Sequence, residues 1–161
     1  MNPTIIVENE RMNEMKIKHG TVDDIEKLAI LFNDYRKFYE QESDLDGARA
    51  FIEARLRNAE SIIFIVVDEE EALGFVQLYP TFSSVAMKRA YILNDLFVVE
   101  SARKRGVAQQ LIEQCYTYCE EMGARYITLE TADSNTKAQA LYEKMGMHTE
   151  PDVRHYSKYW S

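Results

Sequence analysis

Three apolar runs follow one another in the middle of the chain, and they constrain its fold more than any other feature. They cover residues 61–67, 73–79 and 90–99, and they are rich in the β-branched and aromatic residues that favour strands. An acidic turn separates the first two runs, and Pro80 is predicted to end the second because proline cannot donate to a strand ladder. Three strands in such close succession indicate an antiparallel meander.

Helical periodicity surrounds this meander. Thr21 is predicted to cap the first helix, with Asp24 three residues later in the position of a capping box. Apolar residues then recur every three to four positions, which is the spacing of one helix face. The predicted helices run from about Val22 to Phe38, Gly47 to Asn58, Lys104 to Met122, and Asp133 or Ser134 to Met145, and shorter strands are predicted at 15–19, 126–130 and 153–160. This alternation is typical of an α/β protein, in which a sheet is covered by helices.

The charge of the chain narrows the classes of partner. Lys and Arg number 19 against 27 Asp and Glu, which gives a net charge of −8 over 161 residues. A nucleic-acid groove depends on a basic surface, so we expect no nucleic-acid partner; a cationic or amine-bearing partner fits better. No apolar run approaches the roughly 20 residues of a membrane span, and we expect no membrane partner.

Targeting and metal signals are absent from the sequence. Cys115 and Cys119 lie four residues apart without a neighbouring His, which is not a zinc pattern, and no metal is predicted. No secretory signal and no disulfide framework are found, so a cytoplasmic location is expected. Residues 1–14 are polar and are predicted to form a flexible N-terminal arm, and residues 15–161 a single domain.

The turn between the third apolar run and the long helix can bind an anion. Arg103, Gly106 and Ala108 form the pattern Arg-x-x-Gly-x-Ala at the start of that helix. The unpaired N–H groups of a first helical turn favour negative charge, and small residues let a phosphate approach the backbone. Lys104 and Arg105 add two cations. The alternative is a tight turn with solvated basic residues, and this short pattern alone does not decide between them.

A second pair of residues lies on the last predicted helix. Asn135 stands in its first turn, and Tyr142 follows seven residues later, two turns away on the same face. Considered alone, Asn135 is typical of a helix cap region, and Tyr142 is typical of an aromatic residue packed in the core.

The two motifs together, in this order of strands and helices, resemble those of the GNAT-type N-acetyltransferase superfamily. The family's pyrophosphate loop, (Gln/Arg)-x-x-Gly-x-(Gly/Ala), matches the Arg103 pattern, and its Asn-x6-Tyr signature matches Asn135 and Tyr142. The resemblance is densest between residues 91 and 146, where two segments are similar to the yeast histone and polyamine acetyltransferase subgroup. It implies the acyl-CoA N-acyltransferase fold, with a central mixed, mostly antiparallel sheet of six to seven strands and about four flanking helices.

The resemblance also implies roles for individual residues. Acetyl-CoA would be the co-substrate: the backbone at Phe97, Val98 and Val99 would pair with the pantetheine arm, and Asn135 would contact it. Tyr142 would protonate the departing thiolate. The pyrophosphate would be held by the loop and first helical turn, comprising Arg103, Lys104, Arg105, Gly106, Val107, Ala108 and Gln109.

The acceptor side is less well defined by sequence. An alkylamine has a pKa of about 10.4, so a nearby carboxylate would help to deprotonate it. Asp95 is the first candidate for this base and Glu130 the second, while a structural role for Asp95 remains open. Aromatic residues such as Tyr35, Tyr39 and Tyr79 could hold an amine by cation–π contact. Arg36, Phe38 and Tyr156 are further candidates, and the alternative is that these residues belong to the core or to an interface.

The expected function is transfer of an acetyl group from acetyl-CoA to a primary amine of a small molecule, such as a polyamine or an amino acid. A protein lysine or N-terminus is the alternative acceptor. A non-catalytic CoA-binding regulatory module is the alternative of another class. A homodimer is expected by analogy with the subgroup, with the aromatic tail around Tyr156, Tyr159 and Trp160 at the interface.

Overall fold

The computed structural model describes residues 15–161, so the predicted arm at 1–14 lies outside the described residues. Within this range the chain forms five strands and four α-helices. In chain order they are β1 (Met15–His19), α1 (Ile25–Phe38), α2 (Leu45–Arg57), β2 (Ile62–Asp68), β3 (Glu71–Ser83), β4 (Lys88–Val98), α3 (Val107–Glu121), β5 (Ile127–Thr128) and α4 (Thr136–Lys144). None of these helices is long and apolar enough to cross a membrane.

The described chain divides into two compact units. The first ends at Glu130 and contains the whole sheet with α1, α2 and α3. The second, Thr131–Ser161, contains α4 and the C-terminal tail. The single domain expected for residues 15–161 therefore stays a prediction.

The sheet is mixed and mostly antiparallel. Its strand order is β1-β2-β3-β4-β5, and the first four strands pair antiparallel with their neighbours, which confirms the predicted meander. β5 pairs parallel to β4 through only two residues, Tyr91 with Ile127 and Ile92 with Thr128. The strand count among the described residues is five, below the six to seven expected.

Helices cover both faces of the sheet in the first unit. On one face, α1 and α2 bury residues such as Leu28 and Ile52 against Ile63, Ile65 and Phe75. On the other face, Tyr118 of α3 makes ring contacts with Phe64 and Tyr91. Ile63 and Phe64 are adjacent in β2, and successive strand residues point to opposite faces, so the helices lie on opposite sides.

The predicted capping box at Thr21 is confirmed, and it begins a short 3-10 turn, Val22–Asp24, that leads into α1. The Thr21 side chain accepts from the Asp23 N–H, and Asp24 accepts from the Thr21 N–H at 2.9 Å, which completes the capping box. Lys18 donates to Asp24 at 2.6 Å. Burial alone would raise the pKa of Asp24, but these hydrogen bonds outweigh it and the pKa is lowered.

Three boundary predictions are wrong. β3 continues through Pro80 to Ser83, because past Leu78 the described strand β2 no longer pairs with β3 and a residue without an N–H is tolerated at such an edge. The strand expected at 126–130 is only two residues long. Asn135, rather than Asp133 or Ser134, caps α4, and its side chain accepts from the Ala138 N–H.

The strand expected at 153–160 is not formed either. The described tail has no strand assignment and no pairing partner within the sheet. Its aromatic side chains are strongly exposed, with Tyr156 at 87% and Trp160 at 80%. An alternating aromatic pattern forms a strand only where a sheet edge receives it.

A β-bulge in β4 decides which way its side chains point. Gln77 of β3 is opposite Asp95, but the next residue, Leu78, is opposite Leu93, so Asn94 is one extra residue on β4. Residues 91 and 97 would share a face of a regular strand. Because of the bulge, Tyr91 contacts Tyr118 of α3, whereas Phe97 packs against the α1 and α2 core.

Gly74 lets β4 approach β3 closely just beyond this bulge. A Cβ atom built at Gly74 would lie 2.8 Å from the Phe97 carbonyl oxygen and 3.3 Å from Cγ2 of Val98. Beyond it, the Val99 N–H donates to the Leu73 carbonyl at 2.9 Å. The end of β4 therefore depends on the missing side chain of Gly74.

We expect Gly74→Ala to lower the free energy of unfolding by about 1–3 kcal/mol, because the new methyl group forces the two strands apart. Urea unfolding would measure the loss, and amide hydrogen exchange would show faster exchange at Val99. Gly123→Ala is the control: it makes the same chemical change where the surrounding space is open, so it adds no steric contact and costs only the strain of the positive φ at Gly123. Slow exchange at Val99 in Gly74→Ala would contradict the expectation.

Candidate active site

The loop between β4 and α3 has the geometry of an anion site. Gly106 caps α3 with a left-handed backbone, φ 76°, and no side chain caps the helix. Lys104 is also left-handed at φ 64°, which costs a non-glycine residue about 1 kcal/mol. Residues 103–106 are exposed, while Ala102 and Val107 on either side are buried. The two buried residues hold the loop in place while its backbone faces solvent.

The three basic side chains of this loop make different contacts. Arg103 Nε donates to the Val98 carbonyl at 3.2 Å, and its guanidinium lies 5.8 Å from the ring centroid of Phe38. Arg105 is 3.9 Å from the Asp68 carboxylate. Lys104 is exposed. Arg103 therefore ties the loop to the end of β4, a contact that its position in the sequence motif did not indicate.

Further along α3, the predicted residues Ala108 and Gln109 lie in the first helical turn and are partly exposed. Gln109 Nε2 donates to Glu113 at 3.1 Å. The N–H groups of such a first turn have no partner within the helix, and the helix dipole adds partial positive charge there.

The edge of β4 next to the loop is open. β5 pairs with β4 only at Tyr91 and Ile92, so residues 93–98 have no strand partner on that side among the described strands. Phe97, Val98 and Val99 are partly exposed. An open strand edge can accept an extended ligand through backbone hydrogen bonds. The edge and the loop are consecutive in the chain, so both are available to one elongated ligand.

Asp95 lies in a buried polar cluster at the bulge. Its side chain is only 3% exposed, and its Oδ2 accepts from Gln77 Nε2 at 2.6 Å. Asn94 Nδ2 donates to Oδ1 at 3.2 Å, and the Tyr35 hydroxyl also donates to the carboxylate. Burial raises the pKa of Asp95, and these donors only partly oppose the rise. A buried carboxylate with a raised pKa is suited to accept a proton.

Tyr79 and Arg55 extend this cluster. The Tyr79 hydroxyl accepts from Gln77 Nε2 at 3.2 Å. Burial and then the charge of Asp95 raise the pKa of Tyr79 to about 12, which Arg55 opposes. Two buried atoms here, Gln77 Oε1 and Arg55 Nε, have no hydrogen-bond partner within the described chain. The sequence analysis identified neither Gln77 nor Arg55, because a glutamine and an arginine within apolar patterns carry no signal of their own.

The aromatic residues predicted for the acceptor side gather at the end of α1. Tyr35 stacks edge-on against Tyr39, with ring centroids 5.0 Å apart, and against Phe97 at 6.4 Å. Phe38 also contacts Phe97, at 6.5 Å. Tyr39 is 50% exposed. The structure therefore brings Tyr35, Phe38 and Tyr39 beside the open part of β4, while Arg36 points its Nη1 toward the Glu42 carbonyl at 3.4 Å.

Glu130, the second candidate base, is exposed and follows β5 by two residues. In the second unit, Asn135 Oδ1 accepts from the Ala138 N–H at 3.2 Å, so this oxygen is committed to the helix cap. Tyr142 is half-buried, and no residue of α4 is fully buried. Tyr156 lies exposed in the tail.

An apolar hairpin tip also escaped the sequence analysis. Phe82, Val85 and Met87 are 68–99% exposed where β3 turns into β4. The prediction that Pro80 ends its strand hid this extension. The tip begins at Phe82, three residues or about 10 Å beyond Tyr79 along β3. The described residues contain no group of three or more His, Cys, Asp and Glu side chains that could hold a metal ion.

Comparisons with known proteins identify the family and the fold. The model of the Acetyltransferase (GNAT) family matches residues 28–147. The chain is 49% identical over 142 residues to an uncharacterised N-acetyltransferase of Bacillus subtilis (strain 168), YhfO, covering 88% of this chain and 95% of that protein. The fold is similar to the crystal structure of a probable acetyltransferase with a TM-score of 0.86 and 38% identity, covering 91% of this chain and 98% of the other.

The predicted likeness to the yeast subgroup is present but limited. The D-amino-acid N-acetyltransferase HPA3 of Saccharomyces cerevisiae is 34% identical over 80 residues, which is 50% of each chain. The bacterial relative is similar over far more of the sequence. A placement next to the yeast proteins is therefore not confirmed. From the family match and this bacterial relative, the chain belongs to the Acetyltransferase (GNAT) family.

Proposed function

We propose that the chain transfers the acetyl group of acetyl-CoA to a primary amine of a small molecule, of the polyamine or amino-acid type. The observation that carries the proposal is the adjacency of two features, the exposed glycine loop at the start of α3 and the open edge of β4. Acetyltransferases of this family use acetyl-CoA, so the nature of the donor follows from the family, and its placement on these residues is our proposal.

The loop and the strand edge suit the two chemical parts of acetyl-CoA. Backbone N–H groups at the start of α3 and the exposed Lys104 would hold the pyrophosphate. The backbone of Phe97, Val98 and Val99 would hydrogen-bond to the amides of the pantetheine arm. A Cβ atom at Gly106 would meet nothing within 4 Å, which leaves room for a phosphate at this point of the backbone.

The buried carboxylate of Asp95 serves as the proton acceptor for the incoming amine. About one alkylamine in a thousand is neutral at pH 7, so deprotonation limits attack unless a base assists. The aromatic side chains of Tyr35 and Tyr39, with Tyr79 behind them, form the acceptor side, where cation–π contact favours an ammonium group. The net charge of −8 also favours a cationic acceptor. Glu130 is the alternative base.

Tyr142 and Asn135 keep the roles that the family resemblance gives them. Tyr142 would donate a proton to the thiolate as the C–S bond breaks. Asn135 would contact the pantetheine arm through its amide nitrogen, since its Oδ1 caps α4.

Two alternative functions remain to be distinguished. A protein lysine or N-terminus could replace the small amine, and only an acceptor screen separates these. A non-catalytic CoA-binding module would bind the cofactor without turnover. Because the yeast relative is named for D-amino acids, the screen should include both D- and L-amino acids.

We further propose a cytoplasmic homodimer with the tail aromatic residues Tyr156, Tyr159 and Trp160 at its interface, because they are 80–88% exposed.

Binding of acetyl-CoA should depend on the loop. We expect micromolar binding by calorimetric titration, and about tenfold weaker binding for Arg103→Ala, because the loop loses its tie to the Val98 carbonyl and a positive charge. Gly106→Val should also weaken binding, because a β-branched residue resists the left-handed backbone.

Matched controls for this titration lie elsewhere on the same unit. Arg125→Ala removes one exposed cation away from the loop, and Gly123→Ala replaces the left-handed glycine at the other end of α3. Both should bind acetyl-CoA like the wild type. Absence of binding by the wild-type protein would overturn the proposed function.

Catalysis should depend on Tyr142. We expect Tyr142→Phe to lower kcat by about 10²-fold while the Kd for acetyl-CoA stays within about twofold, because only the proton donor is lost. Release of CoA in the presence of spermidine and of D- and L-amino acids would measure turnover. Tyr126→Phe makes the same chemical change outside the proposed site and should leave kcat unchanged. A wild-type protein that binds acetyl-CoA but turns over no acceptor would favour the regulatory module.

A further inference from the structure

The proposed base is almost sealed from solvent. Asp95 is 3% exposed and its neighbour Gln77 is fully buried. An acceptor amine cannot lie against this carboxylate without displacing the side chains around it. The proton therefore needs a group that faces both the carboxylate and the space beside β4.

Tyr35 is placed to be that group. Its hydroxyl has two acceptors within reach at the bulge, the Asp95 carboxylate and the Asn94 carbonyl oxygen, the latter at 3.5 Å. The residue is partly exposed. Its hydroxyl thus joins the buried carboxylate to the point where β4 loses its partner strand.

The Tyr35 ring is held firmly from several sides. It makes edge-on contacts with Phe75 at 6.0 Å, Phe97 at 6.4 Å and Tyr39 at 5.0 Å, and it stacks on Phe32 at 6.2 Å. Phe97 belongs to the strand segment that we propose for the pantetheine arm. A ring so fixed holds its hydroxyl in one place relative to that segment.

Gln77 fixes the other partner of the pair. Its Nε2 donates to Asp95 at 2.6 Å across the two strands, at the register point just before the bulge. This bond holds one carboxylate oxygen on β3 and leaves the remaining lone pairs for donors from α1 and β4. Gln77 is in this sense a positioning residue.

We propose that the Tyr35 hydroxyl relays a proton from the acceptor amine to Asp95. This inference rests on the proposed function and assigns its deprotonation step to a specific pair of residues. The acceptor ammonium gives a proton to Oη of Tyr35 as Tyr35 gives its own hydroxyl proton to the carboxylate. The amine lone pair then attacks the thioester carbonyl carbon, the C–N bond forms and the C–S bond breaks.

The protons balance over one turnover. The ammonium nitrogen loses two protons on its way to the amide. One reaches Asp95 and returns to solvent by the reverse path, and the other replaces the proton that the departing thiolate takes up. No oxidant, reductant or further reactant is needed.

The titratable groups that face Asp95 come from two elements, and a third element acts on one of these groups. Tyr35 faces it from α1, and Tyr79 from β3; Arg55 of α2 acts on Tyr79. Tyr79 is kept protonated by its pKa of about 12. It accepts a hydrogen bond from Gln77 and is not the group that joins the carboxylate to the bulge.

The first experiment tests the pair without turnover. The ¹³C signal of the Asp95 carboxyl, identified by its loss in Asp95→Asn, is titrated by NMR in the wild type and in Tyr35→Phe. Removing the hydroxyl removes a donor to the ionised carboxylate, so the pKa of Asp95 should rise further in Tyr35→Phe. Tyr126→Phe should leave it unchanged. An unchanged pKa in Tyr35→Phe would overturn the relay.

The second experiment measures kcat/KM against pH with spermidine or the amino acid that the wild type acetylates. Wild-type activity should rise as the pH passes upward through the pKa of Asp95, because only the carboxylate accepts a proton. Tyr35→Phe and Asp95→Asn should each lower kcat/KM by about 10²-fold, and the double variant should fall no further, because both act in one step. Binding of acetyl-CoA should be unaffected in Tyr35→Phe.

The outcomes separate the relay from the proposed function. Turnover that is equal in the wild type and in Tyr35→Phe, with the same pH profile, would overturn the relay alone. A double variant whose loss is the product of the two single losses would do the same. A wild type without turnover on any amine would overturn the proposed function itself.

Discussion

One extra residue in β4 is the constraint on which the rest of the site depends. Without the bulge at Asn94, a single strand would present Tyr91, Asp95 and Phe97 to the same side of the sheet. With the bulge, Tyr91 in the first part of the strand packs against α3, and Phe97 in the second part packs against the core under α1. Asp95 is the residue at which this change takes effect, and it therefore lies where the polar groups of two strands and one helix meet.

The two faces of the sheet consequently differ in chemistry. The face under α3 is apolar and encloses both cysteines, and burial raises the pKa of Cys115 to about 12 and that of Cys119 to about 11. Thiols with such pKa values are poor nucleophiles. The face under α1 combines an aliphatic core with the Asp95 cluster. Within the first unit, the Asp95 cluster therefore lies on the side on which the aromatic residues of α1 meet the open strand.

The sequence predicts the element order and the main motifs because these depend on local patterns. The meander and the capping box at Thr21 follow from residue types at fixed spacings. The helix predicted from about Lys104 begins only at Val107, because Lys104 and Gly106 both have left-handed backbones. The extent of β3 and β5 could not be predicted in the same way, because it depends on which neighbouring strand is present at each position. Pro80 is tolerated in β3 because β2 no longer pairs with β3 at that position.

The composition of the site was only partly predictable. Asp95, Tyr35 and Tyr79 were expected separately, from the family resemblance and from their aromatic character, but no pattern in the sequence placed them together. The direction of Asp95 was undetermined, since alternation within a strand fails at a bulge. Gln77 and Arg55 entered the site only through cross-strand and helix–strand neighbours.

Because of the bulge, substitution of Asn94 and deletion of Asn94 would have different structural consequences. Asn94 is exposed and its neighbours keep their places through backbone pairing, so another residue could stand there at the loss of one donor to the Asp95 carboxylate. A deletion of the same residue would leave Asp95 opposite Gln77 and Leu93 opposite Leu78, as in a regular strand, so Phe97 would still face α1; it would, however, remove the Asn94 carbonyl oxygen that lies 3.5 Å from the Tyr35 hydroxyl. The presence of a residue at this position therefore matters more for the place of the Tyr35 hydroxyl beside Asp95 than the identity of its side chain, and we expect natural variants to differ in the identity of residue 94 far more readily than in its presence.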